Sequence, residues 1–103
     1  MNRLITIYWR DIPSHVLGRK GRKTVLKQGL DARFQQAIDR AARRAGGGSS
    51  KQYFEDWRRI SQDVDGDLEE AVAAERDRLE AMFPPEQLER VIRASGVLPP
   101  EDR

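Results

Sequence analysis

Hydrophobic spacing changes character several times along this chain. In Leu4-Ile5-Thr6-Ile7-Tyr8-Trp9, β-branched and aromatic residues run together, which predicts a strand. Alternation puts Leu4, Thr6 and Tyr8 on one face and Ile5, Ile7 and Trp9 on the other. Both faces carry apolar groups, so the strand is expected to be central. Pro13 biases Ile12 towards extended geometry and cannot donate to a ladder, so Asp11 to Ser14 reads as a turn. His15-Val16-Leu17 then reads as a short antiparallel second strand. Gly18-Arg19-Lys20-Gly21-Arg22-Lys23 repeats Gly-Arg-Lys and reads as a cationic, glycine-hinged loop.

Thr24 to Gln28 fits either a strand or a first helical turn. From Asp31, a suitable N-cap, the spacing of Leu30, Phe34, Ile38, Ala41, Ala42 and Ala45 predicts a helix up to the Gly46-Gly47-Gly48 stop. Gly46 to Ser50 reads as a flexible connection. Lys51 to Ile60 is ambiguous, because Tyr53, Phe54, Trp57, Ile60 and Val64 have helical spacing but strand-forming side chains. A strand is favoured, since an isolated hairpin is marginal and a third strand would complete a sheet. The acidic turn Asp63 to Asp67 leads into a helix with the stripe Leu68, Ala71, Val72, Leu79, Met82 and Phe83. Asp67 and Glu70 have capping-box spacing, and Glu69, Glu70 and Glu75 complement the helix dipole. Pro84-Pro85 ends it. A short helix facing inward with Leu88, Val91 and Ile92 follows and stops at Gly96. The expected architecture is one α+β domain over 1–96, with 97–103 as a flexible tail. In it a small antiparallel sheet of two or three strands packs against two main helices and a short C-terminal helix.

At 103 residues and 11.8 kDa the chain can build one modest core. It has no cysteine, which removes disulfides, thiolate metal sites and thiol nucleophiles together. There is no membrane-length apolar stretch and no signal-like segment, so a soluble cytoplasmic protein is the expectation. The net charge of +2 conceals an asymmetry: residues 1–46 carry eleven Lys and Arg against Asp11, Asp31 and Asp39, whereas residues 47–103 carry eight against fourteen acids. Either the halves pack and neutralise each other, or a basic face is kept for an anionic partner.

Four blocks stand out: Ile7-Tyr8-Trp9-Arg10-Asp11-Ile12-Pro13, the Gly-Arg-Lys segment, Arg33-Phe34-Gln35-Gln36-Ala37-Ile38-Asp39-Arg40-Ala41-Ala42, and Tyr53-Phe54-Glu55-Asp56-Trp57-Arg58-Arg59. Over residues 3 to 95 they resemble a small bacterial family labelled "virulence factor", a related domain of which occurs in larger proteins called conserved virulence factor C. The glycine run 46–48 and Phe54 depart from that pattern without disturbing the central blocks. The resemblance supplies no catalytic residues. It implies a setting near corrinoid- and folate-dependent methyl transfer, hence an accessory role in one-carbon metabolism.

Candidate chemistry is sparse. Asp63-x-Asp65-Gly66-Asp67 lacks the glycine and glutamate positions of an EF-hand and reads as a solvated turn with a helix cap. His15 is the only histidine, which excludes a His-pair metal site. Asp11 and Asp39, beside Arg10 and Arg40, are acidic islands in the basic half. Arg10 is expected to pair with Asp39, or Asp11 with an arginine of that helix, fixing the turn. Trp9, Arg10, Asp11, Pro13, Asp39, Arg40 and Trp57 form a candidate structural or contact site, while Arg19, Lys20, Arg22 and Lys23 form a candidate anion-binding segment. No catalytic, cofactor-binding or metal-binding residue is assigned. The leading reading is a non-enzymatic module with a protein partner, for which the resemblance implies a methyl-transfer enzyme. Nucleic-acid or phosphate binding through residues 18–23, and a small enzyme with a site near Arg10 and Asp39, are the alternatives.

Overall fold

The computed structural model describes residues 1–46 and 50–99. Most of the expected Gly46–Ser50 connection, residues 47–49, lies outside the described residues, as does 100–103 of the expected tail. Four antiparallel strands, β1 (Asn2–Trp9), β2 (Ile12–Lys20), β3 (Lys23–Gly29) and β4 (Trp57–Val64), form one sheet in the order β3-β2-β1-β4. The helices are α1 (Ala32–Arg44), α2 (Ser50–Glu55), α3 (Leu68–Met82) and α4 (Pro85–Arg93).

The expected two or three strands are therefore four, and the extra strand comes from the basic segment. Gly18, Arg19 and Lys20 end β2, Lys23 begins β3, and only Gly21-Arg22 turns between the paired Lys20 and Lys23. Gly21 takes φ +59°, the positive value that a two-residue hairpin turn needs at its first central position. The cationic loop is thus a hairpin tip, and the ambiguous residues 24–28 are strand. Similarly, the first turn is Arg10-Asp11, and Pro13 belongs to β2. β2 tolerates this proline because β3 pairs it only from His15 onward, and because the register shifts between Ile7 and Tyr8 opposite Ser14.

Residues 51–60 divide between the two expectations: Ser50–Glu55 is helical, and the strand begins at Trp57. That strand runs on to Val64, taking in the first two residues of what reads as an acidic turn. Its residues from Arg58 to Asp63 are all exposed at the sheet edge, so its burial pattern carries no alternation.

Helix boundaries follow local chemistry. The Asp31 side chain accepts from Arg33 N–H, and the Asp67 side chain accepts from Glu69 and Glu70 N–H groups. Pro85 occupies the first turn of α4, where its missing donor costs nothing. α3 lies across β2, β3 and β1, and packs Leu68, Val72 and Leu79 on Leu4 and Val16. Gly18 permits this approach, since a Cβ there would sit 3.1 Å from Leu68 and Val72 side-chain carbons. A second cluster gathers Phe34, Ile38 and Ala41 of α1, Leu88, Val91 and Ile92 of α4, and Phe83 around Trp9 and Ile12. Leu98, in the expected tail, packs against it.

Gly96 closes α4 at φ +93°, and a Cβ would lie 2.8 Å from Trp9 Cζ3. Gly66 has nearly the same backbone, φ +97°, with nothing within 4 Å of a Cβ. Gly66→Ala is expected to cost about 1 kcal/mol from backbone strain alone. Gly96→Ala should lose about 1–3 kcal/mol more through overpacking against Trp9. Chemical denaturation of both variants measures the difference.

Candidate functional site

The Trp9-Arg10-Asp11 corner is tied to two distant segments. Arg10 has φ +53°, a left-handed value uncommon for a side chain this large. Its N–H donates to Asp56 O at 3.0 Å, its Nε to Asp56 Oδ2 at 3.0 Å and its Nη1 to Ser95 O at 2.8 Å. The guanidinium also lies 4.9 Å from the centre of the Trp9 ring. Asp11 completes the junction: its N–H donates to Gly96 O at 2.8 Å, and its carboxylate accepts from Leu98 N–H at 2.7 Å and Arg58 Nη2 at 3.1 Å. Arg58 Nε donates in turn to Arg10 O at 2.8 Å. Below the corner, Trp9 Nε1 donates to Tyr53 O at 3.0 Å, and Tyr53 meets the Trp57 ring edge-on.

The expected pairing across α1 does not form. Asp39 is exposed and accepts from Gln35 on its own helix, and Arg40 holds both oxygens of Glu89 on α4. Arg10 and Asp11 instead take Asp56 and Arg58, which flank Trp57 at the start of β4. β4 lies beside β1, so those residues reach the corner directly, whereas Asp39 faces solvent. The structure brings Trp9, Arg10, Asp11 and Trp57 together, buries Pro13 beside them, and leaves Asp39 and Arg40 out. A site shared by Arg10 and Asp39 accordingly loses its geometric premise.

The register defines a cationic face turned away from α3. One row across the sheet is Asp63, Arg3, Arg19 and Thr24; the next is Ser61, Ile5, Leu17 and Lys27; the third is Arg59, Ile7, His15 and Gly29. Ile5, at the centre, is 1% exposed, whereas Arg3, Lys27, Arg59 and Ser61 around it are exposed. Arg19 donates through Nη2 to Arg22 O at 2.8 Å, and its buried Nε has no partner. Of the four residues expected to bind anions, Arg19 shares this face, while Lys20, Arg22 and Lys23 lie at the exposed hairpin end. Burial and then the nearby Lys27 ammonium push the His15 pKa below its ordinary 6.5.

One polar cluster is not anticipated by the sequence reading. Glu75 points at the sheet and not at the dipole of its helix: it is 7% exposed, accepts from Thr6 Oγ1 at 3.3 Å, and is gripped by Arg78 through two bonds of 2.7 Å. Arg58 lies 4.8 Å from the Tyr8 ring centre. Burial, followed by the Glu75 charge, raises the Tyr8 pKa. The available signal was positional, since Glu75 falls in the inward series Leu68, Val72, Leu79. Both Glu75 oxygens are satisfied within the fold. Among the described residues no acidic, histidine or cysteine group has a metal-binding arrangement, and no helix is long and apolar enough to cross a membrane.

These features define a small α+β protein with an internally tied corner and a basic sheet face. The family model described as "Virulence factor" matches residues 7–92, and the chain belongs to that family. No curated protein and no solved structure matches it.

Two measurements test this geometry. Asp11→Ala should destabilise the fold by about 1–3 kcal/mol, because the partly buried Leu98 N–H and Arg58 lose a charged acceptor; equilibrium denaturation reads it. For His15, the lowered pKa means that the unfolded chain binds more protons between the folded value and 6.5. The contribution of His15 is therefore fully present above pH 6.5 and is lost as the pH falls through that window. His15→Asn should flatten the corresponding part of a stability-versus-pH curve.

Proposed function

We propose that the chain is a non-enzymatic interaction module that docks through its cationic sheet face on an acidic surface of a protein partner. The supporting observation is where its charges are spent. Arg3, Arg10 and Arg40 meet Asp63, Asp56 and Glu89 from the acidic half, and Arg58 meets Asp11. Among the described residues, Arg19, Lys20, Arg22, Lys23 and Lys27 form no ion pair with an acid. The halves thus neutralise each other at the corner and between the helices, and a basic surplus remains on the β2–β3 hairpin. The face has an aliphatic floor of Ile5, Ile7 and Leu17; Trp57, at its far end, is held by Tyr53. Base stacking needs accessible aromatic planes, so this composition favours a carboxylate-bearing protein surface over single-stranded nucleic acid. The resemblance points to an enzyme of corrinoid- or folate-dependent methyl transfer as the partner.

The test is affinity capture from native lysate with mass spectrometry, comparing the wild-type chain with Arg19→Glu/Lys27→Glu. A methyl-transfer enzyme retained by the wild type should bind the reversed-charge variant about tenfold or more weakly, because each reversal replaces an attraction by a repulsion. Equal retention by both proteins removes the cationic face from the interface. Tight, steeply salt-dependent binding to a single-stranded RNA oligonucleotide, lost in the variant, would replace the protein partner by nucleic acid.

A further inference from the structure

The two outer strands of the sheet are built differently. The β1–β2 and β2–β3 ladders each contain a register shift, whereas β1–β4 pairs without interruption from Asn2 opposite Val64 to Trp9 opposite Trp57. β4 therefore presents a straight outer edge, with no proline or glycine in Trp57–Val64. Natural edge strands are usually blunted by bulges, prolines or covering elements, because a regular free edge offers its unpaired N–H and C=O groups to another strand. β4 also keeps Ile60 46% exposed. The Arg58 charge, which could guard this edge, is turned inward to Arg10 O, Asp11 and Tyr8.

From this geometry we infer that β4 is a homodimer interface: a second copy of the chain pairs antiparallel along the same strand and extends the sheet across a two-fold axis. The axis stands perpendicular to the sheet, so directly opposed residues come from the same face in each copy. Opposed residue numbers must then differ by an even amount. With Ile60 on the axis, Arg59 faces Ser61 and Trp57 faces Asp63, which leaves both charges unmatched. With Ser61 on the axis, Arg59 faces the partner's Asp63, and the symmetry makes that pair twice. Both residues lie on the face away from α3, because Arg59 is opposite Ile7 and Asp63 opposite Arg3. Among the described residues Asp63 meets Arg3 at 3.6 Å, a long contact between exposed side chains that leaves its carboxylate open to the second copy as well. This register also sets Ile60 against the partner's Gln62, whose aliphatic stem covers it. Charge complementarity therefore selects the second copy as occupant and fixes the register centred on Ser61. Arg59 and Asp63 belong to the edge of the cationic face, but the inference does not need Arg19 or Lys27, whose reversal tests that reading separately.

Sedimentation equilibrium on the full chain tests it, with circular dichroism confirming that each variant is folded. The wild type should approach twice the 11.8 kDa monomer mass as concentration rises. Arg59→Asp and Asp63→Arg should each weaken dimerisation about tenfold or more, since each places two like-charge pairs across the axis. The double variant Arg59→Asp/Asp63→Arg recreates both pairs with reversed sign and should restore the dimer. A wild type that stays monomeric at the highest soluble concentration overturns the interface. Folded single variants that still dimerise like the wild type, or a folded double variant that stays monomeric, overturn the Ser61-centred register and with it the proposal.

Discussion

The conformation of Arg10 is the constraint on which the structure most depends. A two-residue connection between Trp9 and Ile12 forces a tight reversal, and Arg10 meets it at φ +53°, where a side chain costs about 1–2 kcal/mol relative to the usual regions. The cost is offset because the same residue donates three hydrogen bonds, two to Asp56 and one to Ser95, while its carbonyl accepts from Arg58. Glycine would relax the backbone there and forfeit both side-chain bonds. The first turn, the start of the last strand and the end of the last helix are fixed by one residue and its acidic neighbour. Segments far apart in sequence are thereby held in register before much of the apolar core is counted.

This junction explains which parts of the fold were legible in the sequence. Leu4 to Trp9 as a central strand, the helix from Asp31, the helix after Asp67 and the short helix after Pro85 all carried strong periodicity or capping chemistry, and all are present. Edge strands carry neither. β4 is exposed throughout Arg58–Asp63, and β3 alternates only weakly, with Leu26 and Gln28 partly buried between exposed neighbours, so little alternating pattern is left to read. The prominence of Trp9-Arg10-Asp11 was also legible, as was the need of its charges for partners, but not the partners' identity. In the chain Asp39 stands one residue, and Asp56 two residues, before an arginine. Only the placement of β4 beside β1 distinguishes them, and that is a long-range fact.

Charge is used in two ways in this molecule. At the corner and between α1 and α4, arginines of one half meet carboxylates of the other, and the corner pairs, Arg10 with Asp56 and Arg58 with Asp11, are partly shielded from solvent. The Arg78 pair with Glu75 follows the same logic, with Thr6 completing the acceptor's bonds under α3. A carboxylate this shielded is tolerable only when its oxygens are satisfied, and both are. Among the described residues no such matching occurs on the β2–β3 hairpin. Lys20 stands directly opposite Lys23, and Arg3 directly opposite Arg19, an arrangement that weakens a ladder by mutual repulsion.

Repulsion of this kind, placed where it does not help the ladder, is the physical feature on which the proposed docking role of the hairpin rests. The conspicuous Trp-Arg-Asp block reads at first as the natural contact site, but its donors and acceptors are consumed internally, and a partner would have to displace bonds of 2.7–3.1 Å to reach them. The β2–β3 hairpin differs: among the described residues its cations make no intramolecular ion pair, and the buried Arg19 Nε lacks even a hydrogen-bond acceptor. Substituting polar neutral residues there would relieve the repulsion without disturbing either apolar cluster. These cations therefore do not owe their place to the stability of the sheet that carries them, which is the step on which the proposed anionic partner depends.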